Sequence, residues 1–147
     1  SFVGSMTHRV RGEMYNHFRE KPDCVLEIKT WSPTVTDDNF YNFISTAMRS
    51  KFLLCPRGYG LNSFRLYEAF QLKCVPVIVT DELFLPWQDE LDWSEFAVVT
   101  DGTTNIYDLL KAIPESQRNK MLEFGEEIYE EYFTLEGTCR QIIKRLK

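Results

Sequence analysis

The sequence predicts an α/β protein: a doubly wound, mostly parallel sheet of about five strands with flanking helices. Three observations carry this reading. Short apolar runs lack polar alternation, as strands buried on both faces do. Helix-length segments separate them, and glycine, proline or aspartate punctuates the joins. Crossovers in such a sheet are right-handed, and its ligands bind beyond the carboxyl ends of the strands where strand order reverses.

The elements follow in order. Phe2-Val3-Gly4-Ser5 reads as the end of a first strand entering a loop, and Arg9 to Glu20 as a helix closed by Pro22, since the residue before proline disfavours the α conformation. Cys24 to Lys29 is a second strand. Trp31 to Asp38 is a loop whose Asp37 or Asp38 caps a helix through Arg49. Phe52 to Cys55 is a third strand, Phe64 to Leu72 a helix and Val75 to Val79 a fourth strand, with Pro76 tolerable near its start. Leu83 to Trp93 is irregular, and Phe96 to Thr100 is a short fifth strand before a turn at Asp101-Gly102. Helices are expected over Ile106 to Ile113, Glu115 to about Tyr132, and Leu135 to Lys147.

Residues 1–147 read as one domain, long enough for a proper core. The first residues, SFVGS, already lie inside a strand, as expected of a piece of a longer protein. A net charge of −5 and the lack of a basic face speak against a nucleic-acid partner. The acidic run Gly125 to Tyr132 is the solvated face of a helix. Cys24, Cys55, Cys74 and Cys139 show no metal-ligand spacing, and three of them sit in or beside apolar runs, as buried thiols do. The chain has no Asn-x-Ser/Thr acceptor and no apolar stretch of membrane-spanning length.

The loops after the first, third and fourth strands are therefore the site candidates. Pro56-Arg57-Gly58-Tyr59-Gly60-Leu61-Asn62-Ser63 joins a strand to a helix, an anion-binding geometry, although neither a GK[ST] nor a GxGxxG pattern closes it. Ser63 is a natural N-cap, a role compatible with phosphate contact by the same N–H groups. Arg57 leaves the strand end directly into the loop. Arg65 and Glu68, three apart on one helix face, either pair with each other or face a ligand, and their position between two buried strands favours a ligand. The first loop adds His8, Arg9 and Arg11: further phosphate donors and a titratable imidazole. Asp81 follows the fourth strand and is placed to touch a sugar hydroxyl or act as a base. No DxD-like motif accompanies it, so no metal site is indicated. His8 and Asp81 are the catalytic candidates; Arg57, Gly58, Ser63, Arg65, Glu68, Arg9 and Arg11 are the binding candidates.

The run from Phe52 to Val99 resembles the exostosin-like glycosyltransferases. Pro56, Gly58, Ser63, Arg65, Glu68, Ala69, Cys74, Val75, Pro76, Val77, Leu85, Pro86, Asp92 and Trp93 carry the resemblance over about fifty residues in the family's order. It implies a Rossmann-like, donor-binding C-terminal domain of a two-domain GT-B enzyme. Such an enzyme transfers sugar from a UDP-sugar to an acceptor hydroxyl with inversion and without a cofactor or metal in the donor site. The glycan or other hydroxyl acceptor would be bound mainly by the other domain. On that template Arg57, Ser63 and Arg65 hold the diphosphate, Glu68 meets ribose or sugar hydroxyls, and Arg9 or Arg11 closes the phosphate pocket. The location implied is the Golgi lumen for a eukaryotic member and the cytoplasm for a bacterial or viral one. A different class, a non-catalytic sugar-nucleotide module or degenerate partner subunit, fits the same binding residues. A receiver-like domain is disfavoured, because the first loop carries Thr7, His8 and Arg9 where an acidic cluster belongs.

Overall fold

The computed structural model describes residues 1–100 and 105–146. Along the chain run β1 (Phe2–Gly4), α1 (Arg9–Phe18), β2 (Leu26–Ile28), α2 (Asp37–Met48), β3 (Phe52–Pro56), α3 (Arg65–Gln71) and β4 (Val75–Val79). Then come β5 (Val98–Thr100), α4 (Ile106–Ala112), α5 (Glu115–Ile128) and α6 (Leu135–Arg145). The expected turn at Asp101-Gly102 lies outside the described residues, as does Lys147.

All strand pairs are parallel. β1 pairs with β2, while β3, β4 and β5 form a second ladder. The ladders join at Ser1, whose nitrogen donates to Phe52 O and whose carbonyl accepts from Leu54 N, each at 2.8 Å. The resulting order is β2-β1-β3-β4-β5, with its reversal between β1 and β3. Side-chain alternation sends Phe2, Leu54, Val75, Val77, Val79 and Val98 to one face, against α1 and α4. On the other face Val3, Leu53 and Cys55 pack with α2 and α3 residues such as Phe43 and Ala69. Helix α5 packs against β4 and α3: Met121 joins the first cluster and Ile128 the aromatic cluster of Phe70, Trp93 and Phe96.

Pro76 sits inside the five-residue strand β4 without breaking it. Val75 N donates toward β3, so the missing donor of Pro76 points toward β5, which begins to pair only at Val77. Three expectations shift by small amounts. β2 is confined to Leu26–Ile28, and Phe96 and Ala97 follow a 3-10 turn (Trp93–Glu95) instead of starting β5. The cap of α2 is Thr36, whose hydroxyl accepts from Asn39 N at 3.4 Å. Asp37 and Asp38 occupy the first turn, where their charge suits the helix dipole.

The helix expected through Tyr132 widens into one π-helical turn, Tyr129–Phe133. The reason lies in α6. Thr134 Oγ1 donates to Glu130 O, Thr138 Oγ1 to Tyr132 O and Gln141 Nε2 to Glu131 O, so carbonyls released from α-helical bonding find donors across the junction. Close approach is needed for this, and Gly137 permits it: a Cβ there would lie 2.6 Å from both Glu130 O and Glu131 O. At Gly12, in α1, a Cβ meets nothing within 4 Å.

Two glycine substitutions therefore have opposite signs. Gly12→Ala is expected to stabilise the fold by about 0.5–1 kcal/mol. Gly137→Ala is expected to destabilise it by about 1–3 kcal/mol, because backbone rather than a flexible side chain must yield. Urea denaturation of the two variants beside the parent protein checks both signs.

Candidate functional site: the arginine-lined crevice between β1 and β3

Where strand order reverses, the crossovers leave the sheet on opposite sides and open a crevice beyond the strand ends. The same divergence leaves carbonyls past the last ladder bond without a neighbouring strand. Two arginines supply the donors. Arg11, on the first turn of α1, donates from Nε to Arg57 O at 3.0 Å, from Nη1 to Ser5 O at 2.9 Å and from Nη2 to Pro56 O at 3.4 Å. Arg65, the first residue of α3, reaches Val3 O with Nε at 3.3 Å and Nη2 at 3.1 Å. Its Nη1 pairs with Glu68, and its guanidinium lies 3.8 Å from the centre of the Phe43 ring. Burial, with the charge of Arg65 nearby, pushes the pKa of Arg11 down. Gly58 lies against this tie, since a Cβ there would sit 3.0 Å from Arg11 Nη2 and 3.3 Å from Thr7 Oγ1.

Arg57 and Arg9 are deployed differently. The Arg57 side chain is 12% exposed; its Nη1 donates to Asp81 Oδ1 at 2.9 Å, and its Nε is buried without a hydrogen-bond partner. Arg9, 65% exposed, donates from Nη2 to the other carboxylate oxygen, Asp81 Oδ2, at 3.2 Å and from Nη1 to Glu13. One carboxylate thus bridges guanidinium groups from the start of α1 and from the loop after β3, itself coming from the loop after β4. The hydrogen bond from Arg57 holds the Asp81 carboxyl below the usual carboxylate range. That shift weakens Asp81 as a base for as long as the contact lasts.

The remaining candidates sit around this cluster. His8 caps α1, its Nδ1 accepting from Val10 N at 3.3 Å. An accepting Nδ1 leaves the proton of a neutral imidazole on Nε2, so the ring in this arrangement offers a donor and no second acceptor. The cap position of α3 falls on Phe64 rather than Ser63, yet the buried Ser63 hydroxyl still accepts from Arg65 N at 3.3 Å. Glu68 is tied to Arg65, the local pairing its spacing allowed. Glu13, not singled out by the sequence reading, joins the cluster through Arg9; its signal was the four-residue helical spacing. Exposed rings also rim the crevice loops, Tyr59 at 81% and Phe64 at 85%, with Met6, Leu83 and Phe84 on the neighbouring loops.

A cavity of about 590 Å³ lies at the opposite end of the sheet, bounded by Ser1, Lys51 and Phe52 at the strand starts and by Tyr107 and Arg118 of α4 and α5. It meets none of the crevice arginines. The four cysteines are free thiols; Cys55 and Cys74 are buried and their pKa values are pushed up by burial. Among the described residues no cluster of three His, Cys, Asp or Glu side chains is placed to hold a metal ion, and no helix is long and apolar enough to cross a membrane.

The fold and crevice define a doubly wound α/β protein of the kind that binds ligands at its strand-order reversal. Residues 1–117 match the exostosin GT47 domain, and the chain belongs to that family. It is similar to exostosin-1 of Drosophila melanogaster, 30% identical over 105 residues that make up 70% of this chain and 13% of that protein. A probable glucuronosyltransferase of Oryza sativa subsp. japonica is 30% identical over 113 residues, 76% of this chain and 25% of the relative. A probable β-1,4-xylosyltransferase of Arabidopsis thaliana is 31% identical over 98 residues, 67% of this chain and 21% of the relative. The chain therefore spans a quarter or less of the length of these relatives.

The two kinds of arginine separate in a stability measurement. Arg11→Met leaves three carbonyl contacts without their donor and is expected to cost about 1–3 kcal/mol. Arg9→Met, at an exposed ion pair, is expected to stay within about 0.5 kcal/mol of the parent. Equal effects of the two in urea denaturation would refute the structural assignment of Arg11.

Proposed function

We propose that this chain is the donor-binding half of an inverting glycosyltransferase, holding a UDP-sugar in the crevice between β1 and β3. The observation that carries the proposal is the convergence of Arg57, from the loop after β3, and Arg9, from the start of α1, on a single carboxylate at the strand-order reversal. Two guanidinium groups that already share one bidentate anion suit the adjacent phosphates of a nucleoside diphosphate. Membership of the exostosin GT47 family supports the reaction class.

In inverting transfer an acceptor hydroxyl, deprotonated by a base, attacks the anomeric carbon while the bond to the diphosphate oxygen breaks. Arg57 and Arg9 stabilise the negative charge that develops on the departing diphosphate. Gly58 lets the loop backbone approach the phosphates, and Ser63 with the N–H groups beside it lines the same edge. Glu68 meets ribose or sugar hydroxyls, steadied by Arg65, while Arg11 keeps the two loops in register. Charge neutralisation by arginine requires no metal in the donor site. The base and most acceptor contacts come from a second domain across the cleft, a GT-B arrangement. The exposed rim of Tyr59, Phe64, Leu83 and Phe84 suits that second surface.

A thermal-shift panel of UDP, GDP, ADP and their sugars tests the reading, run with and without a chelator. UDP at one hundred times its dissociation constant stabilises the fold by about 2.7 kcal/mol. That shift is expected to be lost in Arg57→Ala and unchanged by the chelator. A flat response to every nucleotide would sink the donor-site reading. The 147-residue chain alone is expected to transfer no sugar from UDP-glucuronic acid, UDP-xylose or UDP-N-acetylglucosamine to a hydroxyl acceptor in a product-release assay. Ordinary turnover would place the base on this chain instead.

A further inference from the structure

We infer that Asp81 is a resident counter-anion of the crevice: its carboxylate occupies the place of a ligand anion between Arg57 and Arg9 and sets the affinity with which that place is filled. This rests on the donor-site reading and adds to it a residue that tunes binding without itself contacting the donor.

The geometry supports the assignment at each contact. Asp81 gives one oxygen to each guanidinium, Oδ1 to Arg57 at 2.9 Å and Oδ2 to Arg9 at 3.2 Å, the bridging mode by which a phosphate would be shared. The side chain is 34% exposed and leaves the sheet in the loop directly after β4, so it can swing toward solvent when displaced. Arg57 cannot move in the same way: its side chain is largely buried, and its backbone is fixed by its own N–H to Val79 O at 3.0 Å and by Arg11 on its carbonyl. With Glu13 on Arg9, two cations and two carboxylates balance, and the cluster carries no formal net charge. An arriving diphosphate meets a compensated site and must release Asp81, because two anions sharing these guanidinium groups repel each other. The Arg57 Nε, buried and unpartnered, is a donor that Asp81 does not satisfy.

Asp81→Asn keeps the size of the side chain and removes its charge. Titrations with inorganic pyrophosphate and with UDP are compared for the parent chain, Asp81→Asn, Asp81→Glu and Arg57→Ala. Asp81→Asn is expected to bind both ligands about three- to tenfold more tightly, with a steeper loss of affinity as salt rises, because the site gains one net positive charge. Asp81→Glu should return toward the parent in affinity and in salt slope. Thermal melts without ligand serve as a control, since a purely structural role would change them and leave the salt slope alone. Unchanged or weaker binding by Asp81→Asn, with the parent still binding UDP and Arg57→Ala not, would overturn the counter-anion role and leave the donor site standing. No binding by the parent or by Asp81→Asn would remove both.

Discussion

A doubly wound sheet has to satisfy the carbonyl groups at the point where its strand order turns back, and in this protein two arginines do so. At the ends of β1 and β3 the chains part toward opposite faces, and the carbonyls of Val3 and Pro56 within the strands, with those of Ser5 and Arg57 just past them, take side-chain donors. Arg11 and Arg65 donate to these four groups from the first turns of the helices that follow β1 and β3. A guanidinium suits the task because it offers several donors in one plane and keeps its charge when partly buried. A lysine would reach one carbonyl at a time.

This tie places everything else at the crevice. Arg11 on the carbonyl of Arg57 fixes where the third-strand loop begins, and thereby where the Arg57 side chain can point. Gly58 follows because a Cβ there would sit 3.0 Å from Arg11 Nη2, so that any larger residue would press the guanidinium aside by a few tenths of an ångström. With Arg11 and Arg65 engaged inward, Arg57 and Arg9 are the cations left facing Asp81 and solvent. Four arginines at one strand edge are thus not four equivalent phosphate ligands: two hold the crevice open and two hold charge within it.

The layered fold was legible because buried parallel strands need runs that are apolar on both faces, and Val75–Val79 has no other plausible use. The π turn was not legible, since it depends on which carbonyls α6 can reach with Thr134, Thr138 and Gln141. That several arginines gather at one sheet edge was legible, and the groups they bond were not. Arg11 did carry a signal: at about 100° per residue it falls about 60° from the middle of the buried stripe formed by Val10, Met14 and Phe18, whereas Arg9 falls on the far side. Helical phase therefore separates the inward arginine from the outward one. For Arg65 the partner carbonyl, Val3 O, is sixty-two residues away in sequence, and no local pattern announces it.

The crevice also divides chemical labour in a way that follows from its hydrogen bonds. A general base needs an accepting atom with a pKa near the working pH and within reach of the proton it takes. His8 uses its accepting nitrogen to cap α1, Asp81 is bridged by two guanidinium groups and pushed down, and Glu13 and Glu68 each hold an arginine. Each candidate acceptor is already committed to keeping a cation or a helix end in place. What remains is a surface whose arginines are organised around negative charge and whose named acceptors each already hold a cation or a helix end. Under the proposed reading, such a surface favours departure of an anionic leaving group, and the base that activates the nucleophile is expected on the second domain.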